Sequence, residues 1–186
     1  MKTILQVEDD PNDVFLFQHA MTKSGLPNPV QVASDGQEAI DYLQGVGKFA
    51  NRDRFPFPNL VLLDLKLPYV MGLDVLKWIR EQTWGALPVV MLTASAEEAD
   101  IAAAYRLGAN AFLTKPSAAG KLEDMVKAIN HFWLTHNALP QKSSPGSPMN
   151  GVVSLFHPKP ALAAKRRPPP NGTRREVWPH NLEANP

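Results

Sequence analysis

Apolar residues along this chain alternate between short unbroken runs and helical spacings of three and four, and the alternation repeats five times. Thr3-Ile4-Leu5-Gln6-Val7 predicts a first strand that runs straight into Glu8, Asp9 and Asp10. Pro11 suits the first turn of a helix, on which Val14, Phe15, Phe17, Ala20 and Met21 recur. Gly25 and Pro27 stop it, and Pro29 to Ala33 predicts a short second strand. Ser34-Asp35 can cap a second helix carrying Ala39, Ile40 and Leu43. Gly45 to Pro58 then reads as a long loop, a length often given over to function.

The central run is Asn59-Leu60-Val61-Leu62-Leu63, which ends abruptly at Asp64. A run without polar alternation suits a strand covered on both faces. Leu65 to Gly72 turns the chain into a third helix, with Leu73, Val75, Leu76 and Ile79 on its apolar side. Pro88 to Leu92 predicts a fourth strand ending at Thr93-Ala94-Ser95, and Glu97 to Leu107 a fourth helix stopped by Gly108. Ala111-Phe112-Leu113 predicts a fifth strand ending at Thr114-Lys115-Pro116. A last helix from about Ser117 to Asn137 buries Leu122, Met125, Val126, Ile129 and Trp133, and of the adjacent pair Phe132 and Trp133 one faces the core and the other the surface. Five strand-then-helix units predict an α/β fold: a five-stranded parallel sheet, doubly wound, in the order 2-1-3-4-5.

Charge divides the chain in two. Residues 1–139 hold 12 Lys and Arg against 16 Asp and Glu, whereas 140–186 hold 7 against 2 and 10 of the 18 prolines. The expected organisation is a folded domain over 1–139 and a basic, Pro-rich tail over 140–186 that is disordered, because it cannot bury enough apolar surface to fold. With no cysteine there are no disulfides or thiolate metal sites. No apolar run reaches the roughly 18 residues of a membrane span and the start lacks a signal peptide's apolar stretch, so a cytoplasmic protein is expected.

In the predicted strand order, strands one, three and four are neighbours and bring Glu8, Asp9, Asp64 and Thr93 to the carboxyl edge of the sheet, where α/β folds bind ligands; Lys115 arrives there from strand five. Carboxylates brought within ~4 Å repel by about 4 kcal/mol per pair near a surface. A divalent cation removes that difficulty, and with oxygen ligands only, Mg2+ is the physical match. Magnesium beside a carboxylate, a lysine and a hydroxyl is a site for phosphoryl transfer. Asp64 would be the nucleophile, Lys115 and the metal would offset the added charge, and the Thr93 hydroxyl with the Ala94 amide would hold phosphoryl oxygens.

Val7-Glu8-Asp9-Asp10, Leu62 to Pro68, Met91 to Ser95 and Phe112 to Pro116 resemble the four signature segments of receiver domains of two-component response regulators, over roughly residues 3 to 137. The resemblance implies a flavodoxin-like (βα)5 fold and a sensor histidine kinase that donates the phosphoryl group to Asp64. It also implies Mg2+ organised by Glu8, Asp9, Asp64 and the carbonyl of Lys66, and a switch formed by Thr93 and Phe112 that reshapes the surface of the fourth helix, fifth strand and fifth helix. Such a protein is a phosphoacceptor rather than a classical enzyme, catalysing only its own phosphorylation and dephosphorylation. The Gly45 to Pro58 loop and the lack of an obvious output domain are similar to stand-alone receivers paired with phytochrome-type kinases.

Lys66 departs from the small polar residue usual two positions after the acceptor, and its ammonium could hinder the water that hydrolyses the acyl phosphate. His19, His131 and His136 fall on predicted helices without a paired acid or a metal-ligand spacing and receive no catalytic role. Phe132 and Trp133 are candidates for a homodimer contact. Two other readings stay open. One is a pseudo-receiver that binds partners without phosphorylation, which the complete set Glu8, Asp9, Asp64, Thr93 and Lys115 argues against. The other is a nucleic-acid regulator acting through the Lys165-Arg166-Arg167 tail, disfavoured because that segment carries no helix-turn-helix pattern.

Overall fold

The computed structural model describes residues 1–138 apart from Gly85 and Ala96; the tail expected over 140–186 lies outside the described residues. The elements follow in the order β1 (Ile4–Val7), α1 (Pro11–Lys23), β2 (Val30–Ala33), α2 (Gly36–Gln44), β3 (Leu60–Leu63), α3 (Gly72–Arg80), β4 (Val89–Thr93), α4 (Glu98–Arg106), β5 (Ala111–Thr114) and α5 (Ala119–Ile129). A π-helical segment, Asn130–His136, continues α5. All neighbouring strands are parallel in the order β2-β1-β3-β4-β5, with Val7 opposite both Ala33 and Leu63, and Thr93 opposite Thr114.

The unbroken apolar runs are the strands buried on both faces. Successive side chains point to opposite sides of a sheet, and each side finds its own cover. Leu5, Val7, Val61, Leu63, Val89 and Met91 pack with Ala39, Tyr42, Leu43, Val75, Leu76 and Ile79 of α2 and α3, joined by Ala104 of α4. Ile4, Leu60, Leu62, Val90 and Leu92 pack with Phe17, Ala20 and Met21 of α1 and Val126 and Ile129 of α5. The edge strands β2 and β5 are only partly covered.

Caps fix where the first helices begin. Asp10 Oδ1 accepts the Asn12 amide at 2.8 Å, with Pro11 in the first turn, and Asp35 Oδ1 accepts the Glu38 amide at 2.7 Å. The Gly45 to Pro58 segment is a packed one. It holds a 3₁₀ turn (Gly47–Phe49), Tyr42, Phe49 and Phe55 meet edge to face, and the Arg52 guanidinium donates to the carbonyls of Tyr42, Leu43 and Phe55, satisfying the open end of α2.

Two expectations about helical faces need correction. Phe15, placed on the apolar side of α1, is 64% exposed and stacks on His19. The last helix starts at Ala119 rather than Ser117 and leaves the α register after Ile129. Trp133 is therefore only half-buried and Leu134, five residues after Ile129, takes the core position, while Phe132 stays exposed as expected of one of the pair. No helix of the described residues is long and apolar enough to cross a membrane.

Candidate functional site

Strand parity assembles the site. Glu8 continues the face of Ile4, Asp64 that of Leu60 and Leu62, and Lys115 that of Ala111 and Leu113, so all three come to the side of the sheet covered by α1 and α5. There the Lys115 ammonium donates to Glu8 Oε2 at 2.5 Å, Asp64 Oδ2 at 2.7 Å and Asp13 Oδ2 at 2.7 Å. Glu8, Asp64 and Lys115 are 3%, 10% and 15% exposed at their side chains. Asp13, in the first turn of α1, is the group that sequence reasoning did not find.

Burial dominates the ionisation of Glu8 and pushes its pKa up to about 7, against the opposing pull of the Lys115 ammonium. Lys115 is likewise discouraged from charge by burial, but its bonds to Asp13, Asp64 and Glu8 outweigh that and hold it above the ordinary lysine range.

Asp64 Oδ1 accepts the Leu65 amide at 2.5 Å and the Lys66 amide at 3.3 Å, so the carboxylate is held from both ends, by backbone on one oxygen and by ammonium on the other. The loop that carries it is braced from below. The Gly72 amide donates to the Leu65 carbonyl at 3.0 Å, and a Cβ on Gly72 would lie 2.0 Å from the Asp64 carbonyl oxygen. Across the loop, a Cβ on Gly36 would lie 2.0 Å from the Val70 carbonyl oxygen. Between these contacts Tyr69 takes φ +63°, a rare conformation for a bulky residue, and Val70 N–H closes onto the Pro68 carbonyl at 2.8 Å.

Thr93 continues the opposite parity, with Val89 and Met91, and is 1% exposed; its hydroxyl accepts the Ser95 amide at 3.3 Å. Phe112, half-buried, packs against the same side of the core. Thr93 and Asp64 nonetheless open onto one crevice of about 410 Å³, lined also by Lys66, Ala94, Ser95 and Glu97. The exposed Lys66 side chain thus lines the same crevice as Asp64, and Glu97 is a second group that the sequence did not single out.

Glu8, Asp9 and Asp64 each offer a carboxylate oxygen, and these oxygens lie within 4.8 Å of one another. An all-oxygen donor set with one exposed member, Asp9, fits a hard divalent cation that keeps part of its water shell. The rise in the Glu8 pKa fits it too, since a charge that is costly to bury next to Asp64 becomes favourable once a cation shares the pocket.

Residues 4–127 match the family of response regulator receiver domains. Response regulator Rcp1 of Synechocystis sp. is 39% identical over 140 residues, which cover 75% of this chain and 93% of that protein. Among solved structures, the phosphorylated cyanobacterial phytochrome response regulator RcpA is similar at 40% identity and a TM-score of 0.69, covering 75% of this chain and 98% of RcpA. The Mn(2+)-bound form of Rcp1 is similar at 38% identity and a TM-score of 0.67, covering 75% of this chain and 99% of Rcp1. The chain therefore belongs to the response regulator receiver family and is a two-component response regulator, a signalling protein whose partners are sensor histidine kinases.

Proposed function

We propose that Asp64 is the residue phosphorylated, with Mg2+ held by Glu8, Asp9, Asp64 and the Lys66 carbonyl. The observation that carries this reading is the Asp64 carboxylate itself: almost buried, oriented by two backbone amides and the Lys115 ammonium, and lining the crevice it shares with Thr93. When bound, the cation neutralises charge on the phosphoryl oxygens as it is transferred. A carboxylate oxygen of Asp64 attacks the phosphorus as the phosphorus–nitrogen bond to a kinase histidine breaks. Lys115 already spans three carboxylates and exchanges one of them for a phosphoryl oxygen without leaving its position. The Ala94 amide and the Thr93 hydroxyl hold further phosphoryl oxygens.

Thr93 and Phe112 form the switch in this reading. Turning the Thr93 hydroxyl toward the phosphoryl group gives up only the 3.3 Å bond to the Ser95 amide, and space vacated on that face of the sheet is available to half-buried Phe112. The surface of α4, β5 and α5 then changes shape for a downstream partner. A difference of a few kcal/mol between the two states is enough to carry the signal.

The kinase proposed is of the phytochrome type, on the strength of the similarity to RcpA. The receiver proper occupies residues 1–139, consistent with the family match over 4–127 and with Leu134 in the core, and acts in the cytoplasm. Dephosphorylation is its own hydrolytic activity in this reading. A homodimer contact at Phe132, 57% exposed beside Trp133, belongs to the same reading. The test is labelling by a small phosphodonor such as acetyl phosphate. One phosphoryl group per chain is expected with Mg2+, little with a chelator and none in Asp64→Asn; undiminished labelling of that variant refutes the assignment.

A further inference from the structure

The last described helical segment, Asn130–His136, is wound as a π-helix, and the Asn137 amide donates to the Phe132 carbonyl, five residues back, at 2.8 Å. π turns are rare and are frequent at functional sites. The register has a chemical consequence for two histidines that an α-helical reading keeps apart. At 3.6 residues per turn, side chains five residues apart point about 140° away from each other. With i→i+5 bonding and about 4.4 residues per turn, the same two side chains differ by only about 50°. His131 and His136 accordingly meet, with ring centroids 4.4 Å apart and planes at 76°, and both are exposed.

We propose that His131 and His136 form a two-imidazole site for a borderline divalent cation of the zinc, nickel or copper class. With a metal–nitrogen bond of about 2.0–2.1 Å and a ring centroid about 1.1 Å behind the nitrogen, two bound imidazoles have centroids about 4.5 Å apart at the roughly 90° angle of tetragonal nickel or copper and about 5.1 Å apart at the tetrahedral angle of zinc. The observed 4.4 Å is close to the spacing at a right angle, and a rotation of the rings out of their edge-to-face contact is what aims one nitrogen of each at a shared ion. Water completes the coordination, because both rings are at the surface. The C-terminal end of a helix carries partial negative charge, which favours a cation there. Imidazole nitrogen suits zinc, nickel and copper, whereas the oxygen-only acidic pocket suits hard cations such as magnesium and manganese, so the two sites differ in donor chemistry. A cation held by both rings also holds the π register, since a return to the α register separates them.

The test uses the full chain with Mg2+ in excess, so that the acidic pocket is occupied. Zn2+ or Ni2+ is titrated while the histidine side-chain nitrogen resonances and the heat of binding are followed. The expected result is one equivalent bound with the His131 and His136 signals shifting at a common midpoint. His131→Ala and His136→Ala each weaken binding at least tenfold, and Asp64→Asn and His19→Ala leave it unchanged. Metal-free unfolding midpoints should match the parent, since both rings are exposed. Binding of parental strength in both histidine variants overturns the proposal. So does loss of binding in Asp64→Asn or in the His157→Ala, His180→Ala double variant while the His131 and His136 variants retain it.

Discussion

Replacing Lys115 with glutamine removes the single cation that three carboxylates share. The ammonium lies 2.5–2.7 Å from Glu8, Asp13 and Asp64, and Glu8 and Asp64 are almost fully buried. Breaking a buried ion pair by deleting one partner costs about 3–5 kcal/mol, because the charge left behind has neither water nor a counterion. Asp13, 37% exposed, can turn to solvent, so the loss comes mainly from Glu8 and Asp64. It should depend on pH with a definite sign. The native Glu8 pKa is raised to about 7, above its ordinary 4.5. Between those values the folded protein binds more protons than the unfolded chain, so metal-free stability falls as pH rises through the window. Without Lys115 the Glu8 pKa rises further and the fall is steeper.

Urea unfolding in a chelator should therefore show Lys115→Gln destabilised by about 3–5 kcal/mol at pH 7.5 and by less at pH 5, where Glu8 is already neutral. Excess Mg2+ should recover part of the loss at pH 7.5. Labelling by a phosphodonor should slow by about 10²-fold, the usual effect of removing one preorganised donor to a developing charge. An unfolding midpoint that does not move at pH 7.5, or a loss that grows toward pH 5, refutes the electrostatic account of the pocket.

Gly72→Ala puts a Cβ 2.0 Å from the Asp64 carbonyl oxygen, and relieving that clash requires a shift of roughly 1 Å or more in the acceptor loop or in α3. A destabilisation of about 1–3 kcal/mol in urea and a labelling rate down by about 10²-fold are expected; a parental rate shows that the loop is not held by this contact. Lys66→Asn should shorten the lifetime of the acyl phosphate, measured as loss of label after donor removal, because the lysine bordering the crevice no longer impedes attacking water; an unchanged lifetime eliminates that role. Phe132→Ser should lower the apparent mass in sedimentation if the exposed ring closes a homodimer, and parent and variant sedimenting alike as dimers removes the contact from consideration.

The sheet was readable because strands buried on both faces have no polar positions to blur the pattern: Leu60 to Leu63 and Val89 to Leu92 admit one reading once Asp64 and Thr93 end them. The same period-two geometry brings Glu8, Asp64 and Lys115 together from positions far apart in sequence. Asp13 left no comparable trace, since an acid in the first turn of a helix is what the helix dipole favours with or without a partner. Glu97, at the start of α4, is hidden in the same way. Phe15 misled because it sits among genuine core residues of α1, and its 64% exposure is a property of the face, not of the spacing. The π segment broke the assumption that a helical pattern keeps one period. Its trace was the interval of five between Ile129 and Leu134, which an α-helical template assigns instead to Trp133. The Gly45 to Pro58 segment read as an open loop because its apolar residues, Phe49, Phe55 and Phe57, recur at no regular spacing; they pack through Tyr42 and Trp84 all the same.

Locating the phosphoryl group by peptide mapping tests the assignment of the acceptor most directly. The protein is labelled in Mg2+, the acyl phosphate is reduced with borohydride to homoserine, and the modified residue is read by mass spectrometry. Conversion at Asp64 alone is the predicted result. Conversion at Asp9 or Asp13 with Asp64 intact contradicts it, as does a labelled protein with no converted aspartate.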